Sequence, residues 1–168
     1  MFIQALLHVL GYDLWFYASH RALHTRRFWW IHARHHERVS GLRWLDAYHG
    51  HWIETAVQLL GFFLPAAFGL WSWPVAAVTA ALINVRGLAR HDERMTWLIG
   101  THHLQHHARP KWNFGEPWLD AMFGTRAKPR ALPTCLPGGR IGTLQSSGRM
   151  VLSPPCHPIP KRVPAPSR

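Results

Sequence analysis

Histidine is the residue whose number and spacing point to chemistry. Fourteen occur in 168 residues, and all but His8 and His157 lie between positions 20 and 107. H-R-A-L-H places His20 and His24 at i and i+4. H-A-R-H-H places His32, His35 and His36 at i, i+3 and i+4, and H-L-Q-H-H repeats that spacing with His103, His106 and His107. On a helix these offsets bring side chains to one face, with neighbouring Cβ atoms about 5–6 Å apart. Neutral imidazole is a ligand for iron, zinc, copper or nickel. Three such groups facing one another supply eight rings, enough for two ions, and His51 and His91 are available to complete the shells. Without metal, so many rings on shared faces would leave nitrogens unpaired or accumulate like charge. His8, His49 and His157 repeat no ligand spacing and are read as packed or surface residues.

A ligating histidine usually donates its second ring N–H to a carboxylate or carbonyl, which fixes the ring's orientation. Asp13, Asp46, Glu54, Asp92, Glu116 and Asp120 are the candidates, each with a competing reading as the salt-bridge partner of a nearby arginine. The Glu-x-x-His motif of soluble di-iron bundles does not occur.

The elements that must position these residues follow from the distribution of charge. Positions 1–20 and 44–85 contain no Lys or Arg. The apolar run 2–18 predicts a helix, with no basic region before it and no cleavage motif after it to mark a signal peptide. The run 55–84 is too long for one span, and G-L-W-S-W-P at 69–74 breaks it, with Pro74 suited to open a new helix. The expected result is a hairpin over about 53–90. A hairpin returns the chain to its starting side, so the histidines before and after it can meet. The Lys and Arg flanking the apolar runs all fall on that side, which by the positive-inside rule is the cytoplasm. Residues 19–51 are expected to form helical segments at the membrane interface, with Trp29, Trp30 and Trp44 as anchors.

The predicted architecture is therefore all-α. It is an integral membrane protein of transmembrane helices plus a cytosolic-side helical cap that carries a dimetal histidine site, within a domain spanning 1–125. Residues 126–168 hold nine of the thirteen prolines and no acidic residue, and are expected to be a disordered tail. Both cysteines, Cys135 and Cys156, lie there without a C-x-x-C pair, so a disulfide between them would staple a loop rather than a core. The net charge of +11 suits nucleic acid or anionic lipid. Its placement beside apolar segments favours lipid, and the absence of zinc-finger spacing leaves no nucleic-acid partner expected.

Taken together, these motifs resemble the fatty acid hydroxylase/sterol desaturase superfamily of membrane di-iron oxygenases. The matching segments are H-R-A-L-H at 20–24, H-A-R-H-H at 32–36, H-W-I-E at 51–54, H-D at 91–92, H-H-L-Q-H-H at 102–107 and N-F-G-E-P-W-L-D-A-M-F-G-T at 113–125. The resemblance implies metal ligation by His20, His24, His32, His35, His36, His91, His103, His106 and His107, and less securely by His51. It makes His102, Asp92, Glu54, Asn113 and Asp120 neighbours that support the ligands. Asn113, Gly115, Trp118, Asp120 and Gly124 become residues that close the site. It further implies two iron ions (zinc can replace them in a purified sample), a lipid substrate, O2, and electrons from a ferredoxin or cytochrome b5 type donor. The reaction would hydroxylate or desaturate a C–H bond. A membrane metal-binding or metal-transport protein is the alternative.

Overall fold

The computed structural model describes residues 1–128 and the backbone of 134–136, 140–144 and 150–155. Residues 1–128 are helical, as expected. The first helix, α1 (Phe2–Leu23), runs past the predicted end at 18 and so carries His20 on its last turns. The cap follows as α2 (Trp29–His32) and two 3-10 turns, His35–Glu37 and Trp44–Tyr48. The hairpin is α3 (Trp52–Phe63), a 3-10 turn Leu64–Phe68, and α4 (Trp73–Arg90). It turns where predicted. Gly69 takes a left-handed φ of 69° that side chains disfavour, and Pro74 lies in the first turn of α4. The short helices α5 (Thr96–Ile99), α6 (His102–Ala108) and α7 (Pro117–Met122) complete the helical part.

Both arms of the hairpin pack on α1, which forms the floor between them. Gly61 permits the close approach of α3: a Cβ there would stand 2.7 Å from the Trp15 ring. Trp15 Nε1 donates to Val57 O at 2.7 Å across the same contact. Near the hairpin turn, the buried His8 ring bonds Leu70 O at 3.0 Å. Its reading as a packed histidine agrees with that placement.

Two expectations need correction. Among the described residues, no helix is long and apolar enough to cross a membrane. The helix α1 has the length, about 33 Å at ~1.5 Å per residue, but His8, Asp13, His20 and Arg21 interrupt its apolar character. The first hairpin arm ends at Phe63, and the 3-10 turn from Leu64 begins with Pro65 at its start. Second, Trp29 is not an interfacial anchor. It is 5% exposed, with its ring 5.2 Å from His24 and 5.5 Å from His36, whereas Trp30 and Trp44 are exposed. In the tail, the described backbone segments are β1 (Thr134–Leu136), β2 (Arg140–Leu144) and β3 (Met150–Pro155), paired antiparallel. Short runs with strand-favouring Ile141, Thr143 and Val151 suit these segments. Cys135 is in β1, and Cys156 lies outside the described residues, as does His157.

Candidate metal centre

The four segments that carry histidines converge at the C-terminal end of α1. Their ring nitrogens form two adjoining groups: His20, His24, His32, His36 and His106 in one, and His35, His91, His103 and His107 in the other. Within each group the ligand atoms lie within 4.8 Å of one another. Nitrogens bound at ~2.1 Å from a common centre stand at most ~4.2 Å apart, so each group is a few tenths of an ångström from closing on an ion. All nine rings are buried, none more than 6% exposed. The repeated spacing is used differently from a single helix face. Because α2 ends at His32 and a tighter turn follows, H-A-R-H-H sends His32 and His36 to the group of five and His35 to the group of four. Likewise α6 gives His106 to the first group and His103 and His107 to the second.

Five of the nine rings have their outward nitrogen held by a backbone carbonyl. His20 Nδ1 donates to Phe114 O, His106 Nδ1 to Trp112 O at 2.6 Å, and His91 Nδ1 to Gly87 O at 2.8 Å. His35 Nδ1 donates to His49 O at 3.1 Å and His107 Nδ1 to Arg38 O at 3.2 Å. His32 Nδ1 lies 2.9 Å from Glu54 Oε1. An Nδ1–H used in this way leaves a neutral ring with a bare lone pair at Nε2. Those lone pairs point inward at one another: His20 Nε2 is 2.9 Å from His32 Nε2, and His35 Nε2 is 3.0 Å from His91 Nε2. In the His35–His91 contact both Nδ1 protons are held by carbonyls, so no proton is available to bridge it. Among the described residues, His24 has no hydrogen-bond partner at either nitrogen, and His106 Nε2 and His107 Nε2 have none. Buried lone pairs that face one another are unfavourable unless a cation lies between them. The donor set therefore fits bound metal.

Electrostatics keeps the rings in the ligating form. Burial pushes His20 down to about 3 and His35 down to about 4, and drives His32, His36, His91, His103, His106 and His107 well below the ordinary histidine range. Burial pushes Glu54 up to about 8. A cation held by the neighbouring His32 ring would act in the opposite sense.

The closing segment 113–125 supports the cage from behind. Asp120 is fully buried, and its Oδ1 accepts from Phe114 N at 2.9 Å and Thr125 Oγ1 at 2.6 Å. Its Oδ2 accepts from Gly115 N and His102 Nε2, both at 2.9 Å. Burial alone would raise the Asp120 carboxyl, but the bonds from His102, Thr125 and Gly115 outweigh it and hold the group low. These bonds fix the peptide whose carbonyl orients His20. Asn113 adopts φ 62° and ties the segment at both ends, donating to His102 O and accepting from Ala127 N. Gly115 is required by packing, since a Cβ would stand 2.9 Å from the Tyr17 ring. Gly124 takes a left-handed φ of 68°, and Trp118 is half-exposed.

Two residues expected at the site stand apart from it. His51 belongs to neither group: its Nδ1 accepts from Ile53 N and caps α3, and its ring rests against Trp30 and Trp52. Asp92 does not support a ligating ring. It pairs with Arg94 and accepts from Trp44 N, which ties two loops of the cap together. The five carbonyls that orient rings went unpredicted, because every residue carries one and no side-chain pattern marks them. His49 contributes one of these carbonyls, while its own ring pairs with Glu37.

A cavity between α3 and α4 opens on both groups. Tyr12, Phe16, Leu59, Phe62 and Ile83 line it at one end, and His20, His32, His35, His91 and His103 at the other. The fatty acid hydroxylase family model matches residues 5–125, most of the chain. The chain belongs to the fatty acid hydroxylase family. Its match ends at Thr125, the last residue that Asp120 binds by side chain, so the family segment and the histidine cage are the same unit. No solved structure matches the chain. Membership of this family makes the protein a metal-dependent oxidoreductase candidate with a buried histidine cluster, and the cage above is its candidate centre.

Proposed function

We propose that the chain hydroxylates or desaturates a C–H bond of a membrane lipid, using O2 and two external electrons. Hydroxylation balances as R–H + O2 + 2 e⁻ + 2 H⁺ → R–OH + H2O. The observation that carries this reading is the pair of adjoining histidine groups at the end of an apolar cavity. Two iron ions, one per group, would supply the O2 activation that side chains alone cannot. His20, His24, His32, His36 and His106 would hold one, and His35, His91, His103 and His107 the other.

The chain's own residues do the remaining work. Carbonyls of Phe114, Trp112, Gly87, His49 and Arg38 keep a proton on the Nδ1 of His20, His106, His91, His35 and His107, so the inward Nε2 of each of these five rings stays free to ligate. Phe16, Leu59, Phe62 and Ile83 exclude water and direct an alkyl segment toward the rings. Exposed Phe2, Ile3, Phe63, Phe68 and Trp73 gather where the hairpin turn meets the start of α1. They support an attachment in which this end lies in lipid and the cage faces the cytoplasm. Exposed Arg21, Arg26, Arg27 and Arg34, beside the ligands of the cap, suit an acidic electron carrier of ferredoxin or cytochrome b5 type.

The test is to express the chain in membranes with a reductant system and profile lipids with and without O2. A new O2-dependent product, absent from the His106→Ala variant, supports the reading. Identical profiles for both chains, with two metals bound to the wild type, assign the protein to metal binding without oxygen chemistry.

A further inference from the structure

The cavity contains what looks like a clamp for a negatively charged lipid head. Arg86 and Arg90, one turn apart on α4, line it beside His20, His91 and His103. Their charges are already matched from behind. Arg86 donates from both terminal nitrogens to Asp13 of α1, and its Nε lies 3.4 Å from Glu116 Oε1. Arg90 Nη2 donates to the same Glu116 oxygen, with its guanidinium 5.5 Å above the Phe16 ring. Asp13 is 4% exposed, and neither it nor Glu116 lines the cavity. Before any metal binds, two guanidiniums and two carboxylates sum to zero, and the buried rings are neutral. The other charged side chain in the lining, Glu54, is an acid.

A carboxylate or phosphate entering this cavity finds no unmatched arginine among the described residues. To pair fully with either guanidinium it must displace Asp13 or Glu116, and stripping one partner from such a pair is strongly unfavourable. Arg86 Nε, which makes no hydrogen bond among the described residues, still has Glu116 Oε1 3.4 Å away. An uncharged head meets no such barrier. We infer that the side chains of the cavity favour an uncharged lipid, such as an ester, amide or alcohol, over a free fatty-acid anion. Asp13 and Glu116 set that selectivity by neutralising the arginines from outside the cavity. The inference rests on the cavity being the lipid site proposed above, and it names two residues that touch neither metal nor substrate.

The test compares hexadecanamide with hexadecanoate, which differ in charge and hardly in shape. Equilibrium binding is measured on the full chain in nanodiscs at pH 8, zinc-loaded and metal-free, corrected for partition into empty nanodiscs. The readout is the change in the amide-to-carboxylate ratio on substitution, because any pull of a cation on the carboxylate is common to wild type and variant. The metal-free wild type is expected to bind the amide at least about tenfold more tightly. Asp13→Asn, which frees Arg86, shifts the ratio at least about tenfold toward hexadecanoate in both metal states. Asp13 is buried, so Glu116→Gln, which frees Arg90 at a less buried position, is the second variant and shifts the ratio the same way. A metal-free wild type that prefers hexadecanoate overturns the inference, and so does a ratio unmoved in both folded variants. Binding of neither probe overturns it together with the lipid reading of the cavity. Clear discrimination without any O2-dependent product defeats the oxygenase reading and leaves the selectivity standing.

Discussion

Removing the Asp120 carboxylate should damage the metal centre without touching a ligand. In Asp120→Ala four donors lose their acceptor: Phe114 N, Gly115 N, Thr125 Oγ1 and His102 Nε2. Thr125 and the partly exposed His102 can turn to other partners, but the two buried peptide N–H groups cannot. At ~1–3 kcal/mol for each unsatisfied buried donor, the expected loss is about 4 kcal/mol. For a chain of this size ~1 kcal/mol moves the midpoint by ~2–4 °C, so the fall is roughly 8–16 °C. Metal affinity should drop as well, by ~10–100-fold, because the released Phe114 carbonyl no longer holds the His20 ring. Thermal unfolding followed by near-ultraviolet circular dichroism reads the first effect, and zinc competition with a chromophoric chelator reads the second. Asp120→Asn, which keeps one acceptor oxygen, should fall between wild type and Asp120→Ala on both scales. A midpoint within 2 °C of wild type and an unchanged zinc affinity for Asp120→Ala would refute the support assigned to this segment.

The two groups should also separate by mutation. His91→Ala removes one of four rings from the smaller group and should lower bound metal from two equivalents to about one, measured by elemental analysis. His51→Ala should leave metal content unchanged and cost about 1 kcal/mol, the value of a lost helix cap. Acid should destabilise the metal-free chain. His20 near 3 and His35 near 4 lie below the ~6.5 of an unfolded chain, so between those values the unfolded state binds protons that the folded state refuses. Stability is therefore complete above pH ~6.5 and declines as pH falls toward 4, by about 1.4 kcal/mol from each of these two rings at pH 5.5. A near-ultraviolet spectrum of metal-free protein unchanged from pH 7 to 4 would contradict this.

Much of the centre was legible because metal ligation needs particular side chains at particular offsets. Nine of the ten proposed ligands meet in the structure, as does the hairpin that lets them meet. His51 misleads because the position before a helix favours any side chain that can accept a backbone N–H, and this histidine serves as the cap of α3. The division of rings into five and four was not readable. It depends on where α2 gives way to a tighter turn between His32 and His35, and boundaries of that kind respond to packing more than to local sequence. Asp92 and Glu54 show the same limit from another side. Both are acids near histidines in the chain, yet only tertiary contact decides that Glu54 reaches His32 and Asp92 reaches Arg94.

The central claim concerns the cage itself, and counting metal tests it most directly. Purified full-length protein, loaded anaerobically with ferrous ion and freed of excess, should hold two equivalents per chain, with X-ray absorption reporting nitrogen-dominated ligation at ~2.0–2.1 Å. A chain that retains no iron or zinc under these conditions, or that binds it equally well after His20, His91 and His106 are all replaced by Ala, contradicts the account.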